Sequence, residues 1–283
     1  MTTLLMTGAS RGIGRPAAER LLADDPSLRL IVVARSGVPL DHPRVTTITG
    51  DLASLESVRA VAAQIQEPLQ GYVGNAGLQM KTATSTTADG FETTFGVNVL
   101  AHYLLIRLLW GRFEAPGRIV ITGSDSHFGD FRHNLGLVPA PQWTDVNRLA
   151  HPNLQKGRGA YATSKLAVLY LVHALARRLP EGVDAYTFTP GFTPGTGLVR
   201  DEGALGRLVW TGVFPLLRAL PAVNTVDVAG AQLAAAVAGP RPGPSGSYIN
   251  RTEVERSSPE SYDEEREEQL WRAAERLTGF ARV

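Results

Sequence analysis

Short runs of β-forming residues alternate along this chain with longer stretches of helical periodicity. Several of the short runs are largely apolar without interruption, such as IVVA at residues 31–34 and RIVIT at residues 118–122. A strand that is apolar on both faces is typical of a parallel sheet with helices packed on both sides. The alternation therefore predicts an α/β fold, a Rossmann-type doubly wound parallel sheet of about seven strands with helices on both faces.

The predicted elements follow one another regularly over most of the chain. A chain of 283 residues is long enough to bury a large core, and we expect a single domain over residues 1–283. The predicted strands are Thr3–Thr7, Arg29–Ala34, Val45–Thr49, Gln70–Gly74, Arg118–Thr122, Val183–Phe188 and Ser247–Ile249, and the predicted helices are Ile13–Ala23, Leu55–Gln66, Gly90–Trp110, Ala160–Leu179 and Val226–Ala238.

Three segments depart from this alternation. Residues 128–158 contain three prolines and are too long for a simple connection, so we expect an elaborated insert. Residues 192–222 include the apolar run LVWTGVFPLLRAL at 208–220, which is either a lid over an apolar substrate, packed core or a subunit contact; we favour the lid. Residues 260–281 form a predicted helical tail with acidic residues in its first turn, where they suit the helix dipole.

The composition excludes several classes of function. The 28 basic and 27 acidic side chains nearly cancel, so no strong field favours nucleic acid. The chain has no cysteine, and its six histidines lack the spacing of a metal motif. No stretch reaches the roughly 18 apolar residues of a membrane span, and residues 1–7 form a first strand rather than a signal peptide. We therefore expect a cytoplasmic protein without a metal, a nucleic-acid partner or an integral membrane segment.

A glycine-rich turn joins the first predicted strand to the first predicted helix. Residues 7–14 read TGASRGIG, in which Gly8 permits a tight turn, Gly12 allows close approach of a pyrophosphate, and Gly14 lets the helix pack closely. The free N–H groups and the dipole at a helix N-terminus favour anions. The alternative is an ordinary glycine turn, but its position between a strand and an amphipathic helix favours dinucleotide binding.

The residues after the second strand indicate which dinucleotide is bound. An NAD enzyme commonly carries an acidic residue here for the ribose 2′-hydroxyl, whereas this chain has Ala34 and then Arg35. A guanidinium matches a 2′-phosphate, and Arg11 in the glycine turn is a second candidate for the same group. Either arginine is alternatively a solvated surface charge. The pattern predicts NADP(H) as the cofactor.

Tyr161 and Lys165 are candidates for proton transfer. Their spacing of four places both side chains on one face of a predicted helix, one turn apart. A nearby ammonium favours the phenolate form of a tyrosine, so we expect a phenol that exchanges protons near neutral pH. The alternative is a surface tyrosine beside a solvated lysine, but the chain has only three lysines, so a chance match is improbable.

Taken together, these motifs resemble the short-chain dehydrogenase/reductase family. Residues 7–14 are similar to its cofactor loop, and Tyr161 with Lys165 is similar to its catalytic signature. The resemblance extends over residues 3–280 with the motifs in the same order. It implies cofactor contacts at Gly8, Ser10, Arg11, Gly12, Ile13, Gly14, Arg35, Asp51, Leu52, Asn75, Ala76, Gly77, Tyr161, Lys165, Pro190 and Gly191, and at Thr193 or Thr196.

The resemblance also implies two further catalytic residues. Asn98 matches the asparagine that holds a water in the family's proton relay, and Ser124 matches the serine that hydrogen-bonds the reacting oxygen, with Ser126 as a rival for that role. The segments DGFE, FGVN and RRL are similar to the retinol-dehydrogenase and protochlorophyllide-reductase branch, which acts on large lipophilic molecules.

The implied function is an NADP(H)-dependent ketoreductase. We expect it to interconvert a carbonyl and an alcohol on a lipophilic small molecule by hydride transfer, with Tyr161 as acid and base. A C=C reductase or an epimerase on the same scaffold is the enzymatic alternative, and a non-catalytic NADP(H)-binding regulator is the other. The resemblance also implies a possible homodimer or homotetramer.

Overall fold

The strands assemble into one twisted sheet. The computed structural model describes residues 2–280 except residues 39, 135, 137, 156 and 195–222. Within that part of the chain the strand order is β3-β2-β1-β4-β5-β6-β7-β8, with β1 to β7 parallel and β8 antiparallel to β7. The strands are β1 (Thr3–Thr7), β2 (Arg29–Ala34), β3 (Val45–Thr49), β4 (Leu69–Gly74), β5 (Phe113–Thr122), β6 (Val183–Thr189), β7 (Tyr248–Asn250) and β8 (Glu253–Glu255).

This architecture confirms the predicted doubly wound parallel sheet. The predicted strands correspond to β1 to β7, although β5 begins at Phe113 rather than at Arg118, and the sequence analysis missed only the eighth strand of the described part. Strand β8 reads Glu-Val-Glu, all three residues are exposed, and it lies at the edge of the sheet. Charged side chains are common on edge strands because they discourage pairing with other chains, but they remove the apolar signal that predicts a strand.

Helices cover both faces of the sheet. They are α1 (Gly14–Asp24), α2 (Leu55–Ala63), α3 (Thr93–Phe95), α4 (Ala101–Leu108), α5 (Phe131–Asn134), α6 (Val146–Leu149), α7 (Gly157–Ala176), α8 (Val226–Ala238) and α9 (Glu264–Leu277). The helix predicted over residues 90–110 begins at Thr93, because the Glu92 carboxylate accepts hydrogen bonds from the backbone N–H groups of Thr94 and Phe95. A π-helical turn, Gly96–Leu100, joins α3 to α4.

Neighbouring residues of the central strands point to opposite sides of the sheet. Leu5 and Ile119 belong to the core beneath α2, α4, α7 and α9, whereas Met6 and Val120 belong to the core beneath α1 and α8. All four side chains are 1% exposed or less. Burial on both faces explains the continuous apolar runs from which the parallel sheet was predicted.

The C-terminal helix α9 packs against α7. It begins after Asp263, whose carboxylate accepts from the backbone N–H of Arg266, and three glutamates lie in its first turn. The buried Glu267 contacts His173 on α7, with 3.0 Å between its Oε1 and the histidine Nδ1, and pairs with Arg177. The predicted tail is therefore a helix fixed to the helix that carries Tyr161.

Two other predicted segments are described only in part. The insert at residues 128–158 contains the short helices α5 and α6. Most of the proposed lid at 192–222 lies outside the described residues. The part that is not described is 195–222, which includes the apolar run 208–220. No helix among the residues described has both the length and the apolar character needed to cross a membrane.

Candidate active site

The carboxyl ends of the central strands bring the predicted site residues to one edge of the sheet. Asn75, just past β4, donates from Nδ2 to the Gly8 carbonyl oxygen at 3.0 Å. Its Oδ1 accepts from the Thr122 hydroxyl at the end of β5, at 3.1 Å. The backbone N–H of Ala76 donates to the Thr7 hydroxyl at 3.1 Å. Asn75 thus links the glycine turn after β1 to the ends of β4 and β5.

The glycine turn has a backbone that other residues rarely adopt. Gly8 has φ +75° and Gly12 has φ +57°, both in the left-handed region that favours glycine. A Cβ at Gly14 would lie 2.0 Å from the Gly8 carbonyl oxygen, and a Cβ at Gly8 would lie 2.6 Å from the Ala76 nitrogen. The turn is therefore a tight backbone cradle at the N-terminus of α1, which fits a pyrophosphate.

Exposed polar side chains flank this cradle. Ser10 and Arg11 in the turn and Arg35 after β2 are all exposed, and Ile13 is buried. At the end of β3, Asp51 is exposed and its Oδ1 accepts from the backbone N–H of Ala53 at 3.0 Å, while Leu52 is packed into the core. The end of β2 carries a cation and no acid, which fits a 2′-phosphate.

Tyr161 lies in the first turns of α7 and is 4% exposed. Burial raises the pKa of its phenol to about 12, a hydrogen-bonding interaction with the Ser124 side chain opposes that shift, and the charge of Asp125 adds to it. Ser124 lies two residues after the end of β5, has an extended backbone, and accepts through its side chain from the Ser126 backbone N–H in the following turn. The structure thus brings Ser124 to the phenol, whereas the rival Ser126 is buried with no hydrogen-bond partner for its hydroxyl among the described residues.

Lys165 lies one helical turn after Tyr161, with its ammonium nitrogen 5.6 Å from the centre of the tyrosine ring. The ammonium donates to the Thr122 carbonyl oxygen at 2.8 Å, and burial lowers its pKa to about 8. The two side chains are together, as predicted. The expected lowering of the pKa of Tyr161 is not what the structure gives, because removal of the phenol from water is the larger effect.

Asn98 lies in the π-helical turn Gly96–Leu100 and is 1% exposed. Its Oδ1 accepts from the Leu78 backbone N–H at 2.9 Å, and its Nδ2 donates to the Leu78 carbonyl oxygen at 3.0 Å and to the Ser164 hydroxyl at 3.0 Å. A Cβ at Gly77 would lie 3.2 Å from Asn98 Oδ1 and 3.6 Å from Lys165 Nζ. Asn98 therefore fixes the backbone of Leu78, which directly follows Gly77, beside Lys165, and it lies in a π-turn of the kind often found at functional sites.

The turn after β6 completes the edge. Gly191 has φ +66°, and the Thr193 hydroxyl donates to the carbonyl oxygens of Pro190 at 3.3 Å and Gly191 at 3.2 Å. Asn224 Nδ2 also donates to the Pro190 oxygen, at 3.0 Å. Thr196, the alternative to Thr193 as a cofactor contact, lies outside the described residues.

The sequence analysis missed two polar pairs at this edge. Fully buried His102 contacts the Tyr72 hydroxyl through Nδ1 at 2.5 Å and the Ala76 carbonyl oxygen through Nε2 at 2.8 Å. Burial lowers the pKa of His102 to about 4, so the ring is neutral at pH 7. The second pair is Asp125 with Tyr248 on β7, joined by a 2.6 Å hydrogen bond. Only the first pair could have been inferred from the sequence, because His102 lies one helical turn after Asn98 and therefore on the same helix face.

The chain is similar to known proteins over nearly its whole length. A family model described as short chain dehydrogenase matches residues 2–134. Retinol dehydrogenase 13 from Homo sapiens is 32% identical over an alignment that covers 98% of this chain and 85% of that protein. Protochlorophyllide reductase B, a chloroplastic protein from Oryza sativa subsp. japonica, is 29% identical, with 99% of this chain and 78% of that protein covered.

A solved structure resembles the fold as well. It is a short chain dehydrogenase from Burkholderia cenocepacia in complex with NADP, with a TM-score of 0.63 and 24% sequence identity. The match covers 88% of this chain and 95% of that one. At this identity the likeness concerns the fold, and it agrees with the parallel sheet described above.

Proposed function

The chain belongs to the short-chain dehydrogenase/reductase family, in the branch of retinol dehydrogenases and protochlorophyllide reductases, and from that membership we propose an NADP(H)-dependent carbonyl reductase. The membership makes the protein an oxidoreductase of a family that uses nicotinamide cofactors. The proposed reaction interconverts a carbonyl and an alcohol on a lipophilic small molecule. The names of the relatives, which refer to retinol and protochlorophyllide, support a large apolar substrate.

One observation supports this proposal: buried Tyr161, Lys165 and Asn98 and half-buried Ser124 form one group at the carboxyl edge of the sheet. When bound in the cleft, the nicotinamide supplies the hydride. In reduction the Tyr161 phenol donates its proton to the substrate oxygen, and the Ser124 hydroxyl orients that same oxygen. With a pKa of about 12, the phenol is protonated at neutral pH and available as an acid.

The two remaining residues support the proton donor. The ammonium of Lys165 would hold the nicotinamide ribose. It already donates a hydrogen bond to the Thr122 carbonyl oxygen, which fixes its position. Asn98 shares a hydrogen bond with Ser164, whose hydroxyl donates to the Tyr161 carbonyl oxygen at 2.7 Å. This arrangement would anchor the water that returns a proton to Tyr161.

The test of the chemistry is Tyr161→Phe. We expect turnover to fall about 100- to 10,000-fold, because the proton donor is lost, while NADPH binding is retained. Tyr170→Phe is a matched control, since Tyr170 is buried on the same helix but its hydroxyl donates to the Glu260 carbonyl oxygen, away from the site. Full activity of Tyr161→Phe would contradict the assignment.

We propose NADP(H) rather than NAD(H) because Arg11 in the glycine turn and Arg35 directly after β2 are exposed, and an arginine stands after β2 where an NAD enzyme commonly has an acid. Arg35→Ala should weaken NADPH binding about 10- to 100-fold, as expected for one charge-assisted contact, and leave NADH binding almost unchanged. Arg15→Ala, an exposed arginine on α1 paired with Glu19, is the control. Equal loss for both cofactors would refute the role of Arg35.

A C=C reductase or an epimerase remains the alternative on this scaffold, and a non-catalytic NADP(H)-binding regulator is the other. The probes that separate them are all-trans-retinal, decanal and 2-cyclohexenone, each with NADPH and product analysis. We expect an alcohol from the aldehydes. Reduction of the enone at its double bond alone would favour the first alternative, and NADPH binding without turnover of any probe would favour the second.

We also propose a cytoplasmic location and a homodimer or homotetramer. Assembly through the long helices, as the family resemblance implies, must accommodate α9, which packs on α7. Fractionation of the native host tests the location, and sedimentation velocity tests the assembly, for which a purely monomeric protein would be the contrary result.

A further inference from the structure

Arg251 has a backbone conformation that is unusual for an arginine. It is the first residue of the two-residue turn between β7 and β8, where Asn250 pairs with Glu253, and its φ is +59°. A tight hairpin with a positive φ at this position usually has glycine or asparagine there, because a Cβ is disfavoured in the left-handed region. The other non-glycine residue with a positive φ in the described part of the chain is Asn153, and asparagine adopts this conformation readily. The arginine therefore needs an explanation.

This arginine contacts the chain at the end of β6 at two points. Its backbone N–H donates to the Thr189 carbonyl oxygen at 2.8 Å. Its guanidinium lies against Gly191, where a Cβ would be 2.7 Å from Arg251 Nε, 3.1 Å from Nη2 and 3.4 Å from Cζ. The guanidinium thus occupies the space that a side chain at position 191 would need. Arg251 therefore joins the β7–β8 turn to the chain from Thr189 to Gly191.

Other contacts in this turn hold its carbonyl oxygens. The Thr193 hydroxyl donates to the oxygens of Pro190 and Gly191, and Asn224 Nδ2 donates to the Pro190 oxygen at 3.0 Å. The Asn224 backbone N–H donates to the Phe192 oxygen at 2.9 Å. Gly191 has no side chain of its own and a φ of +66°, so its backbone has the widest freedom in the turn. The guanidinium supplies the packing that glycine lacks.

The Gly191 turn lies towards the reacting end of the proposed cofactor cleft. The glycine turn follows β1 and Arg35 follows β2, so the phosphate groups of a dinucleotide belong on that side of the sheet. The proposed reacting groups lie at the end of β5, where the Lys165 ammonium donates to the Thr122 carbonyl oxygen, and β6 is the next strand. A dinucleotide that reaches from Arg35 to these groups therefore brings its nicotinamide towards the ends of β5 and β6.

We propose that Arg251 is a positioning residue for the nicotinamide end of the cofactor, whose guanidinium fixes the Gly191 turn before the cofactor binds. This inference rests on the proposed function, because it requires a nicotinamide dinucleotide in the cleft. A backbone that is already ordered loses less conformational entropy on binding, so the affinity for the cofactor is higher. The strained backbone of Arg251 directs the side chain to Gly191, and strain of this kind is retained where it serves a site.

The test separates cofactor binding from stability. Arg251→Gly removes the guanidinium but suits the positive φ, so its melting temperature should stay within about 2 °C of the wild-type value. We expect its affinity for NADPH, measured by isothermal titration calorimetry, to fall about 5- to 30-fold, the factor for ordering one backbone residue on binding. The affinity for adenosine 2′,5′-bisphosphate, which has the 2′-phosphate but no nicotinamide, should change less than about twofold.

Two control variants distinguish the effect from changes in backbone strain or charge. Asn153→Gly relieves a left-handed backbone in the same way, but within the insert, and should bind NADPH as the wild type does. Arg256→Ala removes an exposed arginine just after β8, whose guanidinium lies 5.3 Å from the centre of the Tyr262 ring, and should also bind normally. If Arg251→Gly does not fold by circular dichroism, Arg251→Asn replaces it, because asparagine tolerates the same φ and its short side chain does not reach Gly191.

The outcomes separate this inference from the proposed function. Unchanged NADPH affinity in a folded Arg251 variant, an equal loss for both ligands, or the same loss in Asn153→Gly or Arg256→Ala would overturn the inference, and so would failure of both Arg251 variants to fold. If the wild type binds NADH but not NADPH, the cofactor preference is wrong, and NADH with ADP makes the same comparison. If NADPH binds but no carbonyl probe is reduced, carbonyl reduction is wrong while the affinities still test Arg251. Binding of neither dinucleotide contradicts both.

Discussion

The buried His102 makes a quantitative prediction about acid stability. Burial lowers its pKa from 6.5 to about 4, and its two ring nitrogens contact Tyr72 and the Ala76 carbonyl oxygen. The folded pKa is the lower one, so protons bind more tightly to the unfolded chain. The stability that depends on neutral His102 is therefore complete above pH 6.5 and is lost as the pH falls towards and through 4.

The size of the effect follows from the shift. A difference of about 2.5 pKa units corresponds to about 3.4 kcal/mol in full, of which about 2.5 kcal/mol is lost by pH 4.5. His102→Gln keeps a side chain that donates to the Ala76 oxygen but has no proton to gain. It should be less stable than the wild type at pH 7.5 by about 1–3 kcal/mol, because the Tyr72 contact is imperfectly replaced.

Urea unfolding at pH 7.5, 6.5, 5.5 and 4.5 measures this difference. We expect the difference in free energy of unfolding between wild type and His102→Gln to shrink by about 2.5 kcal/mol from pH 7.5 to pH 4.5. At pH 4.5 the difference should be close to zero or reversed. Leu105→Ala is the matched control, since Leu105 is equally buried on the same helix but has no titratable group, and its gap should be constant. A gap for His102→Gln that is the same at pH 7.5 and 4.5 would refute the reasoning.

Two further substitutions test the cradle and the C-terminal helix. Gly14→Ala places a methyl group 2.0 Å from a backbone oxygen, so NADPH affinity measured by fluorescence titration should fall at least about tenfold, whereas Gly111→Ala, with open space around its Cβ, should bind normally. Glu267→Ala removes the buried carboxylate that contacts His173 and Arg177 and should lower the free energy of unfolding in urea by about 3 kcal/mol, against a few tenths for the exposed Glu264→Ala.

The fold was largely predictable because its strongest physical requirement is local. A strand covered on both faces must be apolar at every position, as β2 is from residue 30 to 34, and this pattern is visible in a single window of sequence. Strand β8 has no such pattern and is paired only because β7 lies beside it. Its existence depends on a tertiary contact that the local sequence does not encode.

The same distinction holds for the candidate site. Tyr161 and Lys165 are four residues apart, so helix geometry alone brings them together. Asp125 and Tyr248 are 123 residues apart and meet only because β5, β6 and β7 are ordered side by side. The expected low pKa of Tyr161 was wrong for a related reason, since the degree of burial depends on everything packed around the phenol and not on its nearest cation.

The packing of α9 on α7 has a consequence for how the protein is made. The cradle formed by β1, α1 and the Asn75 turn is complete once the first half of the chain has left the ribosome, and domains generally begin to fold during synthesis. Helix α7, with Tyr161 and Lys165, emerges after that, and its apolar face that meets Leu270 and Trp271 stays uncovered until residues 264–277 emerge. A nascent chain therefore passes through a stage in which the glycine cradle is formed while the face of α7 that α9 later covers is still exposed to water.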